Sequence, residues 1–228
     1  VDLKMENSPT DQQKHPSNLT EFRPDFKLYD IELCREKLES LCDAAVGTSM
    51  RVSKKFDGLP VPAQKNKNMR HVHDDEFPNV SWLYGYYNFF GCNARNSDVY
   101  DLYCQMRSAI RDYIGQNCRA WMQCWVNTHR NDDLMSKHHH TYPIHGYLSL
   151  YPQNTSTVFY DGYQGEELYR ITNECGKMYI GIGSRPHEVV ATGDPPNPKA
   201  PRITLGFNIL RNNDIENYQC DTFSFIPV

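Results

Sequence analysis

The hydrophobic period of this chain changes once, near residue 117, and that change restricts the available folds more than any other feature. Before it, residues 97–116 read SDVYDLYCQMRSAIRDYIGQ. Val99, Leu102, Tyr103, Met106, Ile110 and Tyr113 or Ile114 recur three and four positions apart, the stripe of an amphipathic helix. Ser97 and Asp98 can cap its start. A second helix is expected over 30–45, with Asp30 as its cap and Gly47 as its end. After the change the apolar residues come in short runs rich in aromatic and β-branched types: 119–128, 145–152, 156–162, 177–183, 187–191 and 202–210. Residues 221–228 are a possible last strand. Gly, Pro and Asn lie between the runs. The pattern predicts an α+β chain dominated by β, with a helical N-terminal part packed against a barrel or sandwich of short strands.

Length and charge narrow the functional classes. The 228 residues, 39% hydrophobic, suit one large domain, expected over 26–228, behind a polar arm over 1–25. Within it, 26–117 would be helical support and lid and 118–228 the β core. The net charge is −4 and no basic block stands out, so no nucleic-acid partner is expected. No apolar run approaches the roughly 20 residues needed to span a bilayer, so no membrane partner is expected either. The polar N-terminus shows no signal-peptide core, but the chain begins at Val1, so targeting stays open. None of the eight cysteines forms a CxxC pair, and free thiols in a reducing cytoplasm are the expectation. Three Asn-x-Ser/Thr triplets, at Asn18, Asn79 and Asn154, carry little meaning without a secretory context.

The chemistry concentrates in the β half. Residues 136–152, SKHHHTYPIHGYLSLYP, hold four of the nine histidines. In an extended chain residues two apart share a face, so His138 and His140 can reach one metal together. His187 opens a later strand, 49 positions after His138. Arg202 follows 15 positions after His187, and Thr204 shares its strand face. A planar guanidinium beside a hydroxyl suits a carboxylate. A jelly-roll barrel can bring such distant residues to one end of a common lumen. Alone, the histidine run would be a solvated loop, His187 a strand-end histidine and Arg202 a surface ion pair; their order gives them force. A second cluster, His71, His73, Asp74 and Asp75, reads as a loop charge cluster or as a lid over the pocket. Trp82, Tyr84, Tyr86 and Tyr87 read as packing between helix and barrel.

These residues resemble the signature of the Fe(II)- and 2-oxoglutarate-dependent oxygenases: HxD/E, a distal His about fifty residues later, then Arg-x-Ser/Thr. The resemblance covers about 120–210 and is nearest to viral and marine-bacterial members with HxH before a Gly-Tyr strand. It implies a double-stranded β-helix, of jelly-roll or cupin-like form, buttressed by N-terminal helices. It also implies a hydroxylase-type dioxygenase that uses Fe(II) and 2-oxoglutarate and releases succinate and CO2. His138 and His187 would be metal ligands, and Arg202 with Thr204 would bind the far carboxylate of 2-oxoglutarate. Asn127 and Tyr147 would face the lumen and touch 2-oxoglutarate or substrate. The substrate, a small molecule or a peptide, is not named by the sequence.

One position departs from the pattern. His140 stands where the family has a carboxylate, so a three-histidine site would carry one negative charge fewer. His145 or Asp161 completing the set, or a shifted register that makes His139 a ligand, are the open alternatives. A three-histidine cupin-type dioxygenase that needs no 2-oxoglutarate is a second reading. A β-helix domain without iron, acting as a binding module, is a third.

Overall fold

The computed structural model describes residues 25–57, 76–130, 134–197, 199–212, 214 and 224–228. The arm over 1–24, the His71–Asp75 cluster, Asn18, Cys220 and the first part of the expected last strand lie outside them. The described chain is mostly antiparallel sheet with a few helices. Strands β1 (Phe26–Asp30), β2 (Ala120–His129), β3 (Ile144–Tyr151), β6 (Lys177–Ile182), β8 (Arg202–Arg211) and β9 (Phe225–Pro227) form one sheet in the order β1-β6-β3-β8-β2-β9. Strands β4 (Thr155–Tyr160), β5 (Glu167–Thr172) and β7 (His187–Ala191) form a second, in the order β5-β4-β7. Helices α1 (Arg35–Lys55), α2 (Phe89–Cys92) and α3 (Ser97–Ile114) complete the elements, with a 3-10 turn at Ser81–Leu83.

The period of two explains how both faces of the large sheet are covered. Met122, Cys124 and Val126 of β2, Leu148 and Leu150 of β3, and Leu205, Phe207 and Ile209 of β8 all point one way. They pack against Leu41 and Ala45 of α1 and against Val99, Leu102, Met106 and Ile110 of α3. The alternate residues of the same strands carry the polar groups and face the small sheet. There Tyr147 and Tyr179 of the large sheet meet Phe159 and Ile171 of the small one in a separate apolar cluster. Strands buried on both sides therefore read as apolar on one face and as a polar lumen on the other.

The helices show where sequence patterning falls short. Asn96, not Ser97 or Asp98, caps α3: its side chain accepts from the backbone N–H groups of Asp98 and Val99. The first helix is not the expected 30–45. It starts at Arg35 and runs through Gly47 to Lys55, because buried Thr48, Ser49 and Val52 continue its packed face. A helical glycine costs only about 1 kcal/mol, which that burial offsets. Asp30 belongs to β1, so the N-terminal part is not purely helical. This strand adds to the edge of β6, and Tyr29 fixes it by donating to Asp112 Oδ2 of α3 at 2.8 Å. Strand β5 also escaped the pattern, since only Ile171 in it is buried and no alternation results.

Segment 76–88 crosses the lumen side of β2. Val80, Leu83 and Tyr87 pack against Trp125, with Trp82 and Tyr84 beside them, while Tyr86 is exposed. The Tyr87 hydroxyl accepts from the Val126 N–H at 3.0 Å, satisfying β2 beyond the reach of the short β9. Asn79 in this segment is fully buried, donates toward His129 Nδ1 at 3.3 Å, and is no place for a glycan. Seven cysteines among the described residues are free thiols. No helix among the described residues is long and apolar enough to cross a membrane.

Candidate metal centre

Segment 135–140 lies along β7 as an irregular extra strand. His138 and His187 exchange both backbone hydrogen bonds, at 2.9 and 2.8 Å. Val189 N–H bonds to the Met135 carbonyl, and His140 N–H to the Gly183 carbonyl at 2.8 Å. In an antiparallel pair that exchanges both bonds, the two side chains stand on the same face. The imidazoles of His138 and His187 accordingly meet with ring centroids 4.4 Å apart. His140, two residues along the extended segment, turns to the same side. The ligand-capable nitrogens of His138, His140 and His187 all lie within 4.8 Å of one another.

The tautomers follow from the neighbours. His138 Nδ1 sits 2.8 Å from the Ser136 carbonyl, and His187 Nδ1 sits 3.0 Å from that of Arg185. A carbonyl oxygen only accepts, so both Nδ1 atoms carry the proton and both Nε2 atoms present a lone pair. Backbone carbonyls holding the second ring nitrogen are the usual support of a metal-bound histidine. The Nε2 atoms of His138 and His140 are buried and have no hydrogen-bond partner. Burial pushes the pKa of His138 down, and it pushes those of His140 and His187 well below the ordinary value, with neighbouring histidines adding to the effect. All three rings are neutral, the form that binds a metal.

The remaining candidates from the sequence separate. His139 is exposed and meets Tyr163 edge to face, away from the triad. Asp161 is exposed in the turn after β4 and does not line the cleft. His145 does line it, stacked on His140, but stands outside the triad. No Asp or Glu is among the lining residues.

Behind the cleft, three rows of residues run across β2, β8 and β3. The rows are Gln123–Asn208–His145, Trp125–Gly206–Tyr147 and Asn127–Thr204–Ser149. Gly206 makes room between the two large rings: a Cβ there would come within 2.7 Å of the Trp125 indole. Trp125 Nε1 donates to Asn127 Oδ1 at 3.0 Å, and Asn127 Nδ2 donates to Thr204 Oγ1 at 3.3 Å. The Thr204 hydroxyl thus accepts from the protein and keeps its own proton for another acceptor.

Arg202, at the start of β8, is only 3% exposed, and its Nε and Nη1 have no partner among the described residues. Burial lowers its pKa to about 10, with the nearby Tyr147 opposing. Burial also holds the Tyr147 phenol far above its ordinary value, so it stays neutral, and its hydroxyl has no partner. A buried guanidinium facing a cleft with unpaired donors around it is an anion site. Asn127, Tyr147, Arg202 and Thr204 thus line one cleft with His138, His140 and His187.

Trp125, Met135, Thr157, Val189 and Gly206 also line the cleft and were not singled out in the sequence. Beside Thr204 the buried Ser149 hydroxyl has no partner among the described residues, and continuing the period of two from Tyr147 would have found it. Thr157 comes from the small sheet, and only the packing of the two sheets brings it in.

No family model matches the chain, and no curated protein matches it. Among solved structures the chain is similar to the non-heme alpha ketoglutarate dependent carbocyclase SnoK from nogalamycin biosynthesis. Identity is 8%, coverage is 90% of this chain and 92% of that one, and the TM-score is 0.55. The epimerase SnoN from the same biosynthesis matches at 11% identity over 82% and 79% of the two chains, with a TM-score of 0.47. The non-heme monooxygenase ThoJ, as a nickel complex, matches at 10% identity over 82% and 74%, with a TM-score of 0.43. The chain shares the overall fold of the carbocyclase across most of its length.

Proposed function

We propose that this protein is an Fe(II)- and 2-oxoglutarate-dependent oxygenase built on a double-stranded β-helix. One observation carries the reading: three neutral imidazoles converge in the same cleft as a buried arginine with two guanidinium nitrogens unpartnered among the described residues. The fold shared with a 2-oxoglutarate-dependent carbocyclase supports it.

In this reading His138, His140 and His187 hold the iron. When bound, iron with 2-oxoglutarate and dioxygen supplies oxidative decarboxylation to succinate and CO2, with the second oxygen atom inserted into a substrate C–H bond. The rest is done by the chain. Ser136 and Arg185 carbonyls keep two ligand rings in the metal-binding tautomer. Arg202 and the Thr204 hydroxyl pair the far carboxylate, with Tyr147 as a neutral donor beside it. Asn127 aims the Thr204 proton at that carboxylate by occupying the hydroxyl lone pair. Trp125 and Val189 wall the cleft and exclude water. The substrate is a small molecule or peptide, and hydroxylation is the reaction type proposed. A reducing cytoplasm goes with this reading, in keeping with free thiols such as the buried Cys124.

The test is 2-oxoglutarate-dependent dioxygen uptake and succinate release by protein loaded anaerobically with Fe(II). Succinate formation that vanishes in Arg202→Met supports the reading. That the described lining residues include histidines but no acid favours one rival, a three-histidine dioxygenase working without 2-oxoglutarate. Dioxygen uptake independent of 2-oxoglutarate would select that rival, and failure to bind iron would exclude both.

A further inference from the structure

We infer that His145 is a positioning residue that sets the plane of the third metal ligand, His140, by stacking on it. The inference rests on the proposed metal reading and extends it to a side chain that binds no metal itself. The two rings lie face to face with centroids 3.5 Å apart and 10° between planes. His140 needs such a support. Its partners in the triad are held by backbone carbonyls at Nδ1, and His140 belongs to an irregular segment between the bridge at His138 and the start of β3. His145, by contrast, sits within β3 and is 5% exposed, so its own ring is fixed by the sheet.

A chain of buried polar side chains holds that ring in turn. His145 Nδ1 faces Asn208 Oδ1 at 3.2 Å, Asn208 Nδ2 donates to Gln123 Oε1 at 3.0 Å, and Gln123 Nε2 donates to Ser224 Oγ at 2.7 Å. Asn88 ties Ser224 down by donating to its carbonyl at 2.7 Å. With the amides so oriented, His145 Nδ1 is the donor, and the ring cannot turn without breaking this bond. The flat face offered to His140 is therefore anchored across three strands, β3, β8 and β2, and to the residue ahead of β9. Four polar residues buried in a row and hydrogen-bonded to one another rigidify the lumen face.

The experiment titrates the full metal-free chain with Co(II) and follows its visible absorption. His145→Phe keeps a flat face of similar size but no ring nitrogen. His145→Leu fills the space without a flat face. Both leave Asn208 equally unpaired, so that cost cancels between them. The expected result is a 10–100-fold loss of Co(II) affinity and an altered absorption band in the Leu variant, and a smaller loss in the Phe variant, which keeps the flat face but not its anchor. Equal, wild-type affinity in both variants overturns the inference while leaving the metal reading intact. Equal loss in both, with folding verified by near-UV circular dichroism, also overturns it, because the flat face then contributes nothing. If the His145 variants do not fold, Asn208→Leu decides: an affinity like that of the wild type overturns the anchoring role, and a loss with altered absorption supports it. Wild-type protein that binds no Co(II) removes the metal reading and this inference with it.

Discussion

Replacing Arg202 by methionine separates stability from binding at a single position. The guanidinium is buried, two of its nitrogens lack partners among the described residues, and desolvation lowers its pKa to about 10. An arginine stays protonated at neutral pH in either state, so the penalty is borne by the fold. A pKa depressed in the folded state means that the charged form is disfavoured there at every pH below about 10. The displacement corresponds to ~3 kcal/mol. Methionine retains most of the apolar stem and removes the charge, and such replacements of buried ionic groups are often stabilising by about 1–4 kcal/mol. Metal-free, cofactor-free Arg202→Met should therefore unfold at a temperature higher by roughly 6–12 °C, at about 2–4 °C per kcal/mol for a chain of this size. The same variant should lose the stabilisation that 2-oxoglutarate confers on wild-type protein, which grows with the ratio of ligand concentration to Kd. The assay is calorimetric unfolding with and without 2-oxoglutarate, using Zn(II) as a redox-silent metal. A lower melting temperature in the variant, or an undiminished response to 2-oxoglutarate, would refute the reasoning.

Three further outcomes are expected. His140→Ala should abolish tight metal binding and His139→Ala should leave it unchanged, because His139 is exposed against Tyr163; metal content after dialysis checks both, and His140→Asp should keep iron. In the metal-free protein, burial depresses the pKa of His138, His140, His145 and His187, to about 3 for His145, so the unfolded chain takes up protons that the folded chain refuses. The stability tied to these groups is present above the unfolded-state pKa of about 6.5 and falls as the pH drops below it, which denaturant midpoints between pH 7.5 and 5.5 will register. Gly206→Ala should push the Trp125 indole off Asn127 and weaken 2-oxoglutarate binding while metal affinity holds; near-UV circular dichroism and titration calorimetry report the two effects.

Local pattern already carried much of this architecture. Alternation in β2, β3 and β8 assigns Asn127, Tyr147, Arg202 and Thr204 to the face opposite the apolar residues, and a two-residue offset puts His138 and His140 on one side. Those properties depend on the period of an extended chain, which any stretch of strand imposes by itself. Patterning failed where burial did not alternate, as in β1 and β5, and where packing outweighed a propensity, as in the passage of α1 through Gly47. Other features belong to no segment. His187 meets His138 only because β7 pairs with 135–140, and the choice of His140 over His139 and Asp161 follows from which side chains that pairing turns inward. The stacking of His145 on His140 likewise joins two elements. The burial of Arg202, with two nitrogens unpartnered among the described residues, also depends on the fold, since a guanidinium on an exposed strand finds water unless two sheets close over it. The sequence by itself determined which residue types share a face. Only the tertiary structure decided which faces meet and which polar groups are left waiting for a ligand, because burial and distance are properties of packed pairs of elements.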